Sequence, residues 1–272
     1  RLRRSPSRGR RWRTGRAGSA AAAWEDSDVD VKLYAGASGY SFKEWKGSFY
    51  PEKVKPEEML AFYAERLPTV EINNTFYQLP KAAVLEQWAQ ATPAHFRFSI
   101  KASRRITHMS RLKAESAADP LAYLYKNLAA LGDKRGPVLF QLPPFLKKDL
   151  PRLNDFLALL PADHRATFEF RDDSWFADDT YAALRAAGAA LCLSEREDAT
   201  PPPLVETAPW GYVRLRLEHY SDEDLATWSR RLAATVAGCC EIATRGDGRR
   251  IGAAEFGGDF GADQLDHALV AA

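Results

Sequence analysis

HFRFSIKAS, residues 95–103, sets Phe96, Phe98 and Ile100 against Arg97, Ser99 and Lys101. Successive side chains of a strand point to opposite faces, so this segment reads as a strand with one apolar face and one charged face. The alternation recurs along the chain. TVEIN (69–73) opposes Val70 and Ile72 to Thr69, Glu71 and Asn73, and PVLFQL (137–142) opposes Val138, Phe140 and Leu142 to Leu139 and Gln141. ATFEF (166–170) carries Phe168 and Phe170 against Thr167 and Glu169, with Arg171 next on the polar side. GYVRLRL (211–217) carries Val213, Leu215 and Leu217 against Tyr212, Arg214 and Arg216. VKLYAGAS (31–38) and AALCLS (189–194) complete a set of seven strand candidates.

Amphipathic stretches fill the gaps and predict helices at 56–67, 81–91, 119–131, 149–160, 178–188 and 221–238. Pro56 and Pro120 suit first turns, Asp119 and Ser221 suit caps, and Gly132, Gly188 and Gly238 suit helix ends. Strands alternating with helices argue for βα units and a parallel sheet. The expected fold is α/β, a TIM-type (β/α) barrel, with an open doubly wound sheet as the alternative. A parallel sheet covered on both faces should read as continuous apolar runs. Here the apolar face must meet the helices, so the polar face is expected to point into the barrel.

Composition limits what such a barrel can do. Hydrophobic residues make up 46% of the 272, enough for a large core, and no apolar run approaches a membrane span. Three cysteines, two of them adjacent (Cys239 and Cys240), do not make a disulfide framework and suit a reducing, cytoplasmic location. Residues 1–16 hold eight arginines and no acid, so the other 256 residues carry a net −6 against the chain's overall +2. The expected organisation is a disordered basic tail over 1–30, a barrel over 31–237 and a Gly-rich tail over 238–272. That last stretch holds seven of the 17 glycines and no β-branched or aromatic run, which leaves the eighth strand missing or degenerate. A short helix is expected at 262–272.

The inward faces of the strands bring Glu71, Lys101, Gln141, Glu169, Arg171 and Arg214 together near the C-terminal strand ends, where barrel enzymes keep their chemistry. Buried charges must pair, hydrate or bind a ligand. The surplus of positive charge suits a small polar or anionic partner. Glu71, Lys101 and Glu169 are the expected catalytic groups, with Glu169 as acid/base and Lys101 and Arg171 as charge clamps. Asn73 and Gln141 would orient the ligand; Tyr77, Arg105, His108, Arg171, Trp175 and Arg214 would bind it. Such a Glu/Lys/Arg pocket suits hydrolase or lyase chemistry, although cationic neighbours depress carboxyl pKa values and so disfavour a glycosidase-type acid. A metal centre on His108 and His219 with Glu71 or Glu169 lacks tight ligand spacing, so no metal site is assigned. Gly36-Ala37-Ser38-Gly39 does not make a dinucleotide fingerprint, and no G-x-S-x-G elbow occurs. No cofactor is implied. The rival reading is a non-catalytic barrel whose arginines and aromatics bind nucleic acid or another ligand.

GASGYSFKEWKGSFYP (36–51), FYAERLPTVEINNTFYQLP (62–80), WAQATPAHFRFSIKASRRITH (88–108), GPVLFQLPPF (136–145), EFRDDSW (169–175) and GYVRLRLEHYSDEDLATW (211–228) together resemble the YecE-like family, domain of unknown function family 72. The resemblance implies a TIM barrel and no particular reaction. Members end on an aromatic-rich strand that the chain lacks after residue 238, a departure that a reading-frame shift near that position would explain.

Overall fold

The computed structural model describes residues 33–163, 165–195, 202–217, 220–235, 239–244 and 269–271. The basic tail (1–30) lies outside them. Strands form where the period-two pattern expects them: β1 Tyr34–Ala37, β2 Thr69–Ile72, β3 Arg97–Lys101, β4 Arg135–Gln141, β5 Ala166–Glu169, β6 Ala190–Ser194 and β7 Trp210–Leu215. Each pairs in parallel with the next in chain order, giving an α/β fold built on a curled seven-stranded sheet. Gly36 lets β1 approach β2 closely, since a Cβ there would fall 2.0 Å from the Thr69 carbonyl oxygen.

The helices are α1 Met59–Ala64, α2 Ala82–Gln90, α3 Ala114–Leu128, α4 Leu150–Leu157, α5 Asp178–Ala187 and α6 Asp222–Thr235. Pro56 opens a 3-10 turn ahead of α1, and Gly188 closes α5 in the left-handed conformation. Ser221 and Asp224 bond reciprocally at the start of α6. α3 departs from expectation: it begins at Ala114, so Pro120 lies inside it. A proline has no N–H to give to the carbonyl four residues back. The Ser110 hydroxyl donates to the Ser116 oxygen instead, at 2.9 Å, which explains how the helix runs through the proline.

Two apolar layers follow from the alternation. Val70, Ile72, Phe98, Ile100, Val138, Phe140, Phe168 and Phe170 pack outward against helix residues such as Leu85, Leu121, Leu124 and Phe156. On the opposite face Leu139, Ala190, Cys192, Trp210 and Tyr212 make a smaller cluster with no helix residue in it. Helices therefore cover one face of the sheet, which separates this fold from the doubly wound alternative.

At the C-terminal end the eighth strand is degenerate in sequence, and the expected helix is corrected. Cys239–Thr244 (β8) runs parallel to both β7 and β1, so a strand does follow α6. Its sequence, CCEIAT, offers only Ile242 and Thr244 as β-branched residues, too weak a pattern to read without its ladder partners. Leu269–Ala271 (β9) pairs antiparallel with β8 where a helix was expected. Among the described residues no helix is long and apolar enough to cross a membrane.

Candidate functional site at the strand ends

Arg214 sits at the centre of the inward face. It is fully buried on β7 and spans the lumen, donating from Nη2 to Glu71 Oε1 of β2 at 2.8 Å and from Nη1 to Glu169 Oε2 of β5 at 2.5 Å. Both carboxylates are buried and draw further donors. Tyr212 OH donates to Glu71 Oε2 at 2.7 Å, and Asn73 Nδ2 donates to Glu71 Oε1 at 3.0 Å while also reaching the Ser38 carbonyl at 3.1 Å. Gln141, the register partner of Glu169, donates from Nε2 to both its oxygens at 2.8 and 2.9 Å. Arg171 Nε adds a bond at 3.2 Å.

These contacts decide the charge states. Burial alone would push Glu71 and Glu169 up, but Arg214 beside both pulls them below the ordinary carboxylate range. Tyr212 and Lys101 assist at Glu71, and Arg171, Arg216 and Gln141 assist at Glu169. Burial would lower Arg214, but its two carboxylates hold it firmly protonated. Neither glutamate can lend a proton near neutral pH.

Lys101 behaves differently. It ends β3 with its Nζ 4.7 Å from the centroid of the Phe76 ring, and among the described residues that amine makes no hydrogen bond or ion pair. Burial, then Arg214, push its pKa down to about 8, against an opposing pull from Glu71 and Glu169. His108 sits edge-on to the same ring at 4.9 Å between centroids, and its Nδ1 lies 2.9 Å from Thr107 Oγ1. Burial, Lys101 and Arg171 lower its pKa, so the imidazole is neutral at pH 7. The local backbone is unusual: Arg105–Met109 form a π-helical turn, and Arg111 and Leu112 follow with φ of 51° and 60°. Such turns recur at functional sites.

Of the residues expected from sequence, Glu71, Asn73, Lys101, Gln141, Glu169, Arg171 and Arg214 come together, with His108 beside them. Tyr77 and Arg105 do not join the network; both are exposed on the rim, where Arg104 lies 6.0 Å from the Tyr77 ring. Trp175 is taken out of the pocket. It is buried, stacked on Phe170 at 4.6 Å, and its Nε1 donates to the Leu146 carbonyl, so it packs a loop onto the outer layer. Tyr212 and Arg216 were missed as pocket residues although they share the parity of Arg214. Arg216 is half-buried and acts on both glutamates. Buried Ser194 Oγ, Thr167 Oγ1 and Arg214 Nε have no hydrogen-bond partner among the described residues. Ser194 and Arg214 are register partners, so two of these unpaired groups are neighbours. Among the described residues no three His, Cys, Asp or Glu side chains gather as metal ligands, and His219 lies outside them.

A family model described as a protein of unknown function, DUF72, matches residues 34–246 and so takes in β8. The UPF0759 protein YunF of Bacillus subtilis is 29% identical over 161 residues, 55% of this chain and 54% of that protein. The UPF0759 protein YecE of Escherichia coli K12 is 33% identical over 116 residues, 42% of each. The chain thus matches about half the length of these relatives. A crystal structure of a DUF72 family protein from Thermotoga maritima superposes with a TM-score of 0.66 at 25% identity, covering 76% of this chain and 90% of that one.

Proposed function

The chain belongs to the DUF72 family, and from that premise we propose that it is a cytoplasmic (β/α)-barrel enzyme binding a small anionic or sugar-like ligand at the C-terminal strand ends. In this reading β8 closes the sheet into a full TIM-type barrel. The observation that carries the function is the charge surplus of the lumen. Among the described residues Lys101, Arg171, Arg214 and Arg216 stand around two carboxylates, Glu71 and Glu169, and Arg214 already spans both. Isolated cations in a half-buried site are costly, and an anionic ligand offsets that cost.

The roles differ from those the sequence suggests. Glu71 and Glu169 act as fixed anions that aim Arg214, and Asn73 and Gln141 are spent on holding those carboxylates. Proton handling falls to Lys101, whose pKa is brought down to about 8, with the His108 imidazole beside it. Arg171 and Arg216 clamp the ligand's charge, in line with the preference of guanidinium for carboxylate and phosphate.

Inorganic phosphate and glucose 6-phosphate should raise the melting temperature of the protein, and Arg171→Met together with Lys101→Met should abolish the rise. No shift with either ligand in the parent protein overturns the reading. The exposed Tyr77 and Phe145, with Arg104 and Arg111 beside their rings, favour a second reading as a polynucleotide-binding barrel. Polynucleotide affinity that falls steeply with salt would support that reading.

A further inference from the structure

Among the described residues no carboxylate holds the Lys101 ammonium by an ion pair or hydrogen bond. Glu71 and Glu169 would ordinarily keep a neighbouring lysine charged, but their oxygens are taken by Arg214, Tyr212, Asn73, Gln141 and Arg171. Arg214 and Arg216 repel a second charge at Nζ. The amine rests over the Phe76 ring, an apolar wall, with no hydrogen bond or ion pair among the described residues. The His108 imidazole stands edge-on to that same ring. One aromatic side chain thus carries an amine and an imidazole, and the charges of Arg216 and Arg171 act on them.

A desolvated lysine among other cations is the usual setting of a nucleophilic amine. We propose that Lys101 forms a Schiff base with a small aldehyde or ketone that carries a carboxylate or phosphate. The inference rests on the anion-pocket reading and names its substrate class. Nζ attacks the carbonyl carbon and its lone pair forms the C–N bond. The carbonyl oxygen takes a proton to give a carbinolamine, then leaves as water as the C=N bond forms. His108 relays the protons, and no oxidant, reductant or cofactor enters. Arg171 and Arg216 hold the anionic group, so the carbonyl end lies toward Nζ. His108 would then take the proton on the carbon beside the iminium, and the C–H electrons would form the C=C bond of an enamine, which is isomerase chemistry.

The test uses pyridoxal 5′-phosphate, a phosphorylated aldehyde, on the full chain at pH 8, followed by borohydride reduction and peptide mapping. An amine titrating near 8 is about half free at that pH, against well under one in a hundred for an ordinary lysine. Lys101 should therefore be labelled about tenfold or more faster than the exposed Lys53 and Lys81. Inorganic phosphate should suppress that label alone. Lys101→Arg should lose the label while the slow labelling of Lys53 and Lys81 stays as in the parent. Labelling spread evenly over surface lysines, with the phosphate shift intact, overturns the Schiff base and leaves the anion pocket standing. Absence of any phosphate shift while Lys101 still labels selectively overturns the pocket reading and leaves the reactive amine.

Discussion

In the lumen Glu71 and Glu169 share the guanidinium of Arg214, whereas on the outer side of the same sheet Glu195 meets neutral donors. Glu195 follows β6 and is buried. Trp228 of α6 donates from Nε1 to its Oε1 at 2.9 Å, and the Tyr220 hydroxyl donates to its Oε2. Both donors belong to an apolar cluster with Leu193, Val213, Leu215, Leu225 and Leu232. Burial dominates there and raises its pKa, with the two hydrogen bonds and Arg231 only partly opposing. In the lumen the same desolvation is outweighed by a cation at bonding distance. Burial therefore sets the direction where a carboxyl's bonded partners are neutral, and a cation at bonding distance reverses it. The lumen is a charged network, and the Glu195 site is a polar peg fastening α6 to the end of β6.

The strongest way to break this comparison is to remove the shared cation. Arg214→Met leaves two buried carboxylates without their main counter-charge, and stability should fall by about 3–5 kcal/mol, read from urea unfolding. Arg214→Lys reaches one carboxylate in place of two and should fall between that variant and the parent. Next in size is Tyr212→Phe, which removes a neutral donor to an ionised acceptor and should cost about 1.5–3 kcal/mol by the same measurement. A loss no larger than that of Tyr220→Phe would erase the distinction between the two regions.

Acid sharpens the contrast. Glu71 and Glu169 have folded pKa values below their unfolded value of 4.5, so their contribution is present above that pH and drains away as pH falls through the folded values. Glu195 is raised above 4.5, so its contribution is complete below that pH and is lost as pH rises through its folded value. Unfolding followed from pH 7 down to 3 should show a steep loss governed by the lumen. In Arg214→Met that acid dependence should flatten, because the two carboxyls no longer favour the charged form.

Much of this was legible before any coordinates, for a physical reason. A strand whose faces alternate between Phe and a charged residue has only one way to sit in a helix-covered parallel sheet, so Glu71, Lys101, Glu169 and Arg214 converge by parity alone. Parity also marks Tyr212 and Arg216, and they were missed because a tyrosine reads as core and a terminal arginine as solvated. Parity does not say where a loop folds its rings, so Trp175 could have faced the ligand as readily as Phe170. Nor does it say which partner reaches a carboxylate first. By residue type Glu169 suits an acid/base, but Arg214, Gln141 and Arg171 all bond to it. β8 escaped because CCEIAT owes its extended form to β1 and β7, which lie far from it in the chain. The π-helical turn at Arg105–Met109 leaves no periodic trace over five residues.

The smallest predicted effect separates the two regions most cleanly. Glu195→Gln keeps the shape of the side chain and removes its ability to ionise. Well below pH 4.5 the parent carboxyl is protonated folded and unfolded alike, so the variant differs there only by whatever its amide does to the bonds with Tyr220 and Trp228. That difference is independent of pH. Above pH 4.5 the parent must either keep a proton the unfolded chain gives up or bury a charge among leucines, and the variant does neither. Between pH 4 and pH 8 the stability of Glu195→Gln relative to the parent should therefore improve by on the order of 1 kcal/mol, measured by urea unfolding at both values. An equal offset at the two pH values would mean that Arg231 compensates the carboxylate as fully as Arg214 compensates its pair, and the outer site would then be a second ion-pair network in place of a neutral peg.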